Sequence, residues 1–95
     1  MKVLFMNITL RATWCHSLKE KRMIVKSIIA RLKNKFNISV AESDKQDTHQ
    51  IIVISIVGLA ADSGMADSTM ENIINFIEEN TDAEIINIEK EKEDF

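Results

Sequence analysis

The sequence has no proline and no tyrosine, and it has only two glycines, one cysteine and one tryptophan. With no proline and so little glycine, none of its 95 residues form a stretch with the composition of a flexible linker, and we expect a single domain over residues 1–95. Because Cys15 stands alone, it cannot form an internal disulfide, which favours a reducing, cytoplasmic environment. No apolar run approaches the roughly 18 residues that a membrane span requires, so no membrane partner is expected.

Acidic residues are scarce in one segment of the chain, and basic residues are scarce in another. Residues 17–36 hold seven basic residues and one acidic residue, whereas residues 62–95 hold two basic and eleven acidic residues. The two segments carry net charges of +6 and −9, and the whole chain carries −3. An acidic chain argues against general binding to nucleic acids, and we expect no DNA partner, but the basic segment could still contact an anion locally.

Apolar periodicity predicts the elements in the first half of the chain. In residues 2–11 apolar side chains alternate, as they do in a strand, and in residues 18–36 they form one stripe at helical spacing. Residues 37–43 and 50–60 are β-branched runs separated by the polar stretch SDKQDTH. This pattern predicts a hairpin with a long loop.

A second helix and a last strand complete the predicted fold. The helix begins at Asp62 or, if the rival capping box STME is used, at Ser68. The stretch AEIINIEKEKE then predicts a strand that ends in a solvated charged tail. The order βαββαβ predicts two split β-α-β units, which pack both helices on one face of a four-stranded antiparallel sheet. This is the ferredoxin-like fold, an α+β sandwich.

A family resemblance is carried by one long run and three later residues. The run is HSLKEKRMIVKSIIARLKNKFNISVAE, which starts at His16, and Gln46, Asp47 and Gln50 follow it ahead of an apolar strand. These residues resemble the YlxP-like family, small bacterial proteins of unknown function, and the resemblance covers most of the chain. It implies a ferredoxin-like fold that is often oligomeric. The family's genes commonly lie near those for ribosome-binding factor A and translation factors, which implies a role around ribosome maturation.

The first helix begins with a capping signal and an unfavourable charge pattern. Ser17 is expected to be the N-cap, with Glu20 at the capping-box spacing. Lys19, Lys21 and Arg22 follow in the first turns, where each cation costs roughly 0.3–1 kcal/mol beside exposed N–H groups. A bound anion such as phosphate would offset this cost. We therefore predict an anion-binding or RNA-binding site formed by His16, Ser17, Lys19, Lys21, Arg22 and Lys26.

On a helical wheel the cations form two groups, one on each flank of the apolar stripe. The first group is Lys19, Arg22, Lys26 and Lys33, and the second is Lys21, Arg31 and Lys35. Long basic side chains that lie beside a buried face and keep a small protein soluble would explain the pattern without any ligand. An acidic protein partner, including the acidic half of a second copy, would also fit.

The second face of the first strand is half apolar and carries Val3 and Phe5. RNA recognition through a sheet face stacks bases on aromatic side chains, and Phe5 is the only aromatic residue on these strands. An uncovered apolar sheet usually marks a protein interface instead. Val3 and Phe5 are therefore predicted to form a homo-oligomer contact, which leaves the basic helix free on the outside.

No residue pattern specifies catalysis. Cys15 and His16 are adjacent at a strand-to-helix junction, where neighbouring side chains seldom point at each other, and no orienting acid is specified. We expect no enzymatic activity and no cofactor.

Two features have alternative interpretations. His49 with Asp44 and Asp47 could form a metal site in the hairpin loop, but such residues are more often plain turn formers, and no metal is predicted. Trp14 is expected to be buried over the edge of the core, the alternative being an exposed stacking residue.

Two functions from different classes follow. The leading hypothesis is a non-enzymatic accessory factor that contacts ribosomal RNA or a ribosome-associated protein through the basic first helix. The alternative is an oligomeric regulatory module that binds a small anionic metabolite at a subunit interface. Binding to RNA through several phosphates would weaken steeply with salt, whereas a metabolite site would saturate with one small ligand.

Overall fold

The chain forms four strands and two helices in the predicted order βαββαβ, as described for residues 1–95 by a computed structural model. The elements are β1 (Lys2–Arg11), α1 (Leu18–Lys35), β2 (Ile38–Asp44), β3 (Ile51–Ala60), α2 (Ser63–Asn80) and β4 (Glu84–Asp94). A membrane crossing would need a longer or more apolar helix than either of these two.

The four strands form one antiparallel sheet in the order β2-β3-β1-β4. β1 lies inside the sheet and pairs with β3 along its whole length, from Lys2 opposite Ala60 to Arg11 opposite Ile51. α1 packs against β2, and α2 packs against β1, β3 and β4. The prediction of a ferredoxin-like α+β sandwich is confirmed.

The core lies between the helices and one face of the sheet. The alternate residues of β1 that point to this face are all buried, as the strand pattern predicts: Leu4, Met6, Ile8 and Leu10. The helices contribute apolar side chains at helical spacing, namely Val25, Ile28 and Leu32 from α1 and Met70, Ile73 and Ile77 from α2. Phe36 and Phe76 join the two helices through an edge-to-face contact with ring centroids 5.6 Å apart.

Both helices begin at side-chain caps. The Ser17 Oγ accepts a hydrogen bond from the Glu20 N–H at 3.1 Å, which confirms the predicted N-cap of α1. At α2 the Asp62 Oδ1 accepts from the Met65 N–H at 2.8 Å. The helix therefore begins at Ser63, and the rival start at Ser68 is wrong.

The last strand keeps its backbone pairing through its charged end. β4 continues to Asp94 and pairs with β1 as far as Lys2, and its charged side chains are all exposed, so the predicted charged tail is solvated but remains paired as a strand. Backbone pairing with the inner strand β1 is the physical reason, because an edge strand tolerates charged side chains on its exposed positions. At its end the Lys2 Nζ lies 2.5 Å from the Asp94 Oδ1, and this hydrogen-bonded cation holds the pKa of Asp94 below its ordinary value.

Candidate functional site

Four exposed cations share one side of α1, the side turned away from α2. We call Lys19, Arg22, Lys26 and Lys33 the basic flank. At 3.6 residues per turn they fall within about 60° of the helix circumference and extend about 21 Å along its axis. The three ion pairs of the molecule use the cations Lys2, Lys21 and Lys92. The basic flank is therefore free of ion pairs within the chain.

The start of α1 holds the remaining predicted site residues. His16 is exposed and directly precedes the N-cap. The hydroxyl of Ser17 already accepts the Glu20 N–H, so its hydrogen-bonding capacity is largely used within the helix. The carboxylate of Glu20 in the first turn partly compensates the positive helix end. His16, Lys19 and Arg22 are thus all exposed near the start of α1, and Ser17 has a capping role.

Lys21 does not belong to this surface, which corrects the prediction. It is only 1% exposed, lies on the buried stripe with Val25 and Leu32, and is not on the second flank of the wheel. Its Nζ lies 3.0 Å from the Glu42 Oε2 and also donates a hydrogen bond to the Lys45 carbonyl oxygen. The contact with Glu42 is an ion pair and not an aligned hydrogen bond, since the buried Oε2 has no hydrogen-bond partner.

The sequence contains a signal for this buried pair. Lys21 precedes Val25 by four residues and Ile28 by seven, which is the spacing of the apolar stripe itself. Glu42 has the same strand phase as the buried Val40, two residues earlier in β2. Assigning both Lys21 and Glu42 to buried positions predicts that they form a pair.

The face of the sheet opposite the helices is uncovered and partly apolar. We call it the open sheet face. Phe5 of β1 is paired with Val57 of β3, and Val3 is paired with Leu59. Phe5, Val57 and Leu59 are exposed, and Val3 is half-buried. The predicted interface residues Val3 and Phe5 therefore lie together in an apolar patch at one end of this face.

A chain of hydrogen bonds crosses the open sheet face beside the apolar patch. The Ser55 Oγ lies 2.7 Å from the Ser43 Oγ and donates to the Asn7 Oδ1 at 2.9 Å, and the Asn7 Nδ2 donates to the Glu89 Oε1 at 3.4 Å. Each of the four strands contributes one of these residues. β4 adds Glu91 opposite Phe5, so the edge of the face is acidic.

Trp14 is exposed, and the expectation that it is buried is wrong. Its exposed fraction is 41%, whereas Ala12 and Cys15 on either side of it fill the edge of the core. The Cys15 N–H donates to the Ala12 carbonyl oxygen at 3.1 Å, so the backbone turns here. Because this turn directs Ala12 and Cys15 inward, the indole is left at the surface.

Comparisons with known proteins identify the family of this chain. The family described as "Protein of unknown function (DUF503)" matches residues 3–90, which include α1, the hairpin and nearly all of the sheet. The chain belongs to the DUF503 family. It is also 36% identical over 62 residues to the uncharacterized protein YlxP of Bacillus subtilis (strain 168), which spans 65% of this chain and 67% of that protein. The YlxP-like resemblance is thus confirmed.

Among solved structures, this DUF503 chain is similar to the de novo designed protein Foldit4. The TM-score is 0.51 at 15% identity, over 99% of this chain and 97% of the designed one. At this identity the similarity concerns the fold alone.

The hairpin loop of this DUF503 protein uses its polar residues to form a turn. The Asp44 Oδ1 accepts the Lys45 N–H at 2.8 Å, and Lys45 has a positive φ of 55°. The Lys45 carbonyl oxygen accepts the Thr48 N–H at 3.0 Å in addition to the Lys21 ammonium. The structure does not gather Asp44, Asp47 and His49 into a group that could hold a metal ion.

The thiol of Cys15 is directed into the core of this DUF503 domain. It is fully buried, and its Sγ donates to the Ser17 carbonyl oxygen at 3.4 Å. The neighbouring His16 is exposed. The two side chains therefore occupy different environments, as expected for adjacent residues at this junction.

Proposed function

We propose that this protein is a non-enzymatic accessory factor that binds RNA through the basic flank, in the setting of ribosome maturation. The observation that carries the proposal is the group of four exposed cations on one side of α1, none of which is paired with an acid of the same chain. Phosphate groups are the ligands that such a row of cations attracts most directly in RNA.

The placement of these cations along the helix also favours an anionic ligand. Lys33 lies in the last turn, where a cation is stabilising, but Lys19 and Arg22 lie in the first turns, where it is not. With Lys21 buried beside Glu42, two unfavourable exposed cations remain near the N-terminus. A phosphate bound near Lys19 and Arg22 would attract both side chains and the exposed N–H groups, so the electrostatic energy at the helix start would become favourable.

The shape of the basic flank favours a polyanion over a small metabolite. Small-molecule sites are concave, and none of the four main surface depressions includes a residue of the basic flank. The flank is a convex strip about 21 Å long, and cations spread over that length can contact several phosphates of one strand. RNA fits this arrangement better than the alternative of an anionic metabolite.

The rest of the molecule would orient the RNA. The acidic segment 62–95 carries a net charge of −9, and it includes the edge of the open sheet face with Glu89 and Glu91. Phosphates are repelled from that edge and attracted to α1 on the other side of the sheet. α2, on the same side of the sheet as α1, carries four acidic residues and no basic one, so RNA is expected to approach α1 from the side turned away from α2.

The open sheet face supports the second part of the proposal, a homo-oligomer. Ten residues of β1 and four strands give a face of roughly 19 by 34 Å, at about 4.8 Å between strands and about 3.4 Å per residue. This area of roughly 650 Å² is somewhat below the roughly 800 Å² that each partner buries in a typical stable complex, and its apolar patch lies at the end that carries Val3 and Phe5. Pairing through Phe5 and Val57 would leave the basic flank of every copy accessible.

The proposal is tested by the salt dependence of RNA binding. The variant Lys19→Gln/Arg22→Gln/Lys26→Gln is compared with Lys35→Gln/Lys45→Gln/Lys90→Gln, which removes the same charge from exposed cations elsewhere. Fluorescence anisotropy with a labelled single-stranded RNA measures the dissociation constant at several salt concentrations. For the flank variant we expect weaker binding and a log–log salt slope smaller by about 2, at about 0.7 per lost phosphate contact.

The result that would contradict the proposal is an equal loss of binding in both triple variants, since it would show a general charge effect. The ribosomal setting is tested by co-sedimentation with ribosomal subunits from lysate, with and without ribonuclease. The proposal expects co-sedimentation of the wild type and of the control variant, loss of it in the flank variant, and sensitivity to ribonuclease.

A further inference from the structure

A surface depression lies between α1 and the end of α2. Its volume is about 390 Å³, within the range of roughly 300–1,000 Å³ that is usual for small-molecule sites. Its walls include Trp14, Met23, Ile24, Arg31, Asn80 and Asp82. We call it the Trp14 depression.

The apolar wall of the depression is formed by side chains that are unusually exposed. Met23 is 66% exposed and Trp14 is 41% exposed, although burying either would stabilise the fold. Trp14 is the only tryptophan of the chain. Proteins that bind single-stranded nucleic acids combine a basic surface for the phosphates with exposed aromatic side chains on which the bases stack.

The backbone on both sides of Trp14 is held in place. The Gln50 Nε2 donates to the Thr13 carbonyl oxygen at 3.0 Å, and the Ala12 N–H donates to the Gln50 carbonyl oxygen at 2.8 Å. On the other side Cys15 is anchored in the core. The indole is therefore presented by a fixed backbone, which lowers the entropy cost of stacking a ligand on it.

The polar rim of the depression suits a base better than a phosphate. Its ionisable residues are Glu20, Arg31 and Asp82, so the two carboxylates outnumber the guanidinium. One guanidinium nitrogen of Arg31 already donates to the Asn80 carbonyl oxygen at 3.1 Å. A phosphate would be repelled by this rim, whereas a carboxylate can accept a hydrogen bond from the exocyclic amino group of a base.

The depression and the basic flank are adjacent on α1. On the helical wheel Met23 lies about 40° from Lys19, and Ser27 and Glu20 lie beyond Met23 in the same direction. A strand whose phosphates lie along the flank can therefore turn one base over the helix into the depression. The phosphate of a nucleotide would then contact the basic flank, and its base would lie in the mildly acidic, partly apolar depression.

We infer that the Trp14 depression receives one unpaired, amino-bearing nucleobase of the bound RNA, which stacks on Trp14. This inference rests on the proposed function and adds a base-binding site to it. Cytosine is preferred to uracil, because its N4 amino group can donate to Asp82, whereas the O4 of uracil is an acceptor that a carboxylate repels.

The single tryptophan makes the test specific to this site. The wild-type protein is titrated with RNA hexamers of cytosine, of uracil and of abasic ribose phosphate, while intrinsic tryptophan emission and the anisotropy of a terminal label are recorded. We expect saturable quenching by the cytosine hexamer, weaker binding of the uracil hexamer and no quenching by the abasic hexamer.

Three variants separate the roles of the residues. Trp14→Ala should weaken binding of the cytosine hexamer by about 5-fold to 150-fold, which corresponds to about 1–3 kcal/mol for one stacked base, and should leave the abasic hexamer unaffected. Trp14→Phe should retain most of the binding. Asp82→Asn should reduce the preference for cytosine over uracil. Met65→Ala removes another exposed apolar side chain, at the opposite end of α2, and serves as the control.

The outcomes distinguish the two proposals. Binding by anisotropy without quenching, or unchanged binding by Trp14→Ala with an unchanged melting temperature, would overturn the base site and leave the basic flank as the RNA contact. Quenching and binding that survive Lys19→Gln/Arg22→Gln/Lys26→Gln would overturn the flank and support the base site. No binding of any hexamer at several hundred micromolar would overturn both.

Discussion

The ammonium of Lys21 and the carboxylate of Glu42 form a buried ion pair, 3.0 Å apart, between the first turns of α1 and the edge strand β2. Lys21 is almost completely enclosed, so its charge depends on Glu42 and on the Lys45 carbonyl oxygen for compensation. The pair thereby ties the helix start to β2 and to the hairpin turn. A cation that the charge pattern assigns to the surface thus acts inside the fold.

We predict that Lys21→Met destabilises the protein by about 3 kcal/mol, because it leaves the Glu42 carboxylate in a partly buried site without a counter-charge. This is the low end of the usual range of about 3–5 kcal/mol, since Glu42 keeps some contact with solvent. The measurement is urea unfolding. In the double variant Lys21→Met/Glu42→Leu most of the loss should be recovered, and a double variant as unstable as the single one would contradict the prediction.

Lys19 and Arg22 should behave in the opposite way to Lys21. Replacing both by Gln removes two exposed cations from the N-terminal turns of α1 and leaves no buried group unpaired. We expect the melting temperature to be unchanged or slightly higher at low ionic strength, measured by circular dichroism. A clear decrease would mean that the two side chains support the fold, and it would contradict an anion site at this helix start.

The predicted oligomer depends on the open sheet face. Phe5→Glu would place a charge without a partner in the apolar contact and should therefore shift the protein to a smaller species in multi-angle light scattering. Met65→Glu introduces the same charge at an exposed position of α2 and should leave the mass unchanged. If Phe5→Glu remains folded and keeps the mass of the wild type, this face is not the contact.

The two N-caps allow a direct comparison. Ser17→Ala and Asp62→Ala should each cost roughly 0.5–2 kcal/mol, because each removes the side-chain acceptor of one N–H group in the first turn of a helix. Urea denaturation midpoints measure both losses under the same conditions. A neutral result for Ser17→Ala would show that water satisfies the Glu20 N–H equally well.

The local pattern of the sequence determined the fold. Alternation in β1 places Leu4 and Ile8 on one face whatever the rest of the chain does, and the helical spacing of Val25, Ile28 and Leu32 defines one stripe in the same way. Only a few arrangements of a βαββαβ chain bury the apolar faces of its strands and helices against each other. The cap at Ser17 was predictable for a similar reason, because it involves residues only three positions apart.

Only the tertiary structure decided which polar and aromatic residues are available to a ligand. Lys21 and Glu42 are 21 positions apart in sequence and meet because α1 packs on β2. The chain of hydrogen bonds from Ser43 to Glu89 requires the register of all four strands. Trp14 is exposed because Ala12 and Cys15 occupy the edge of the core. Such contacts depend on long-range pairing and on competition for limited core volume, neither of which is encoded in the local spacing of residues.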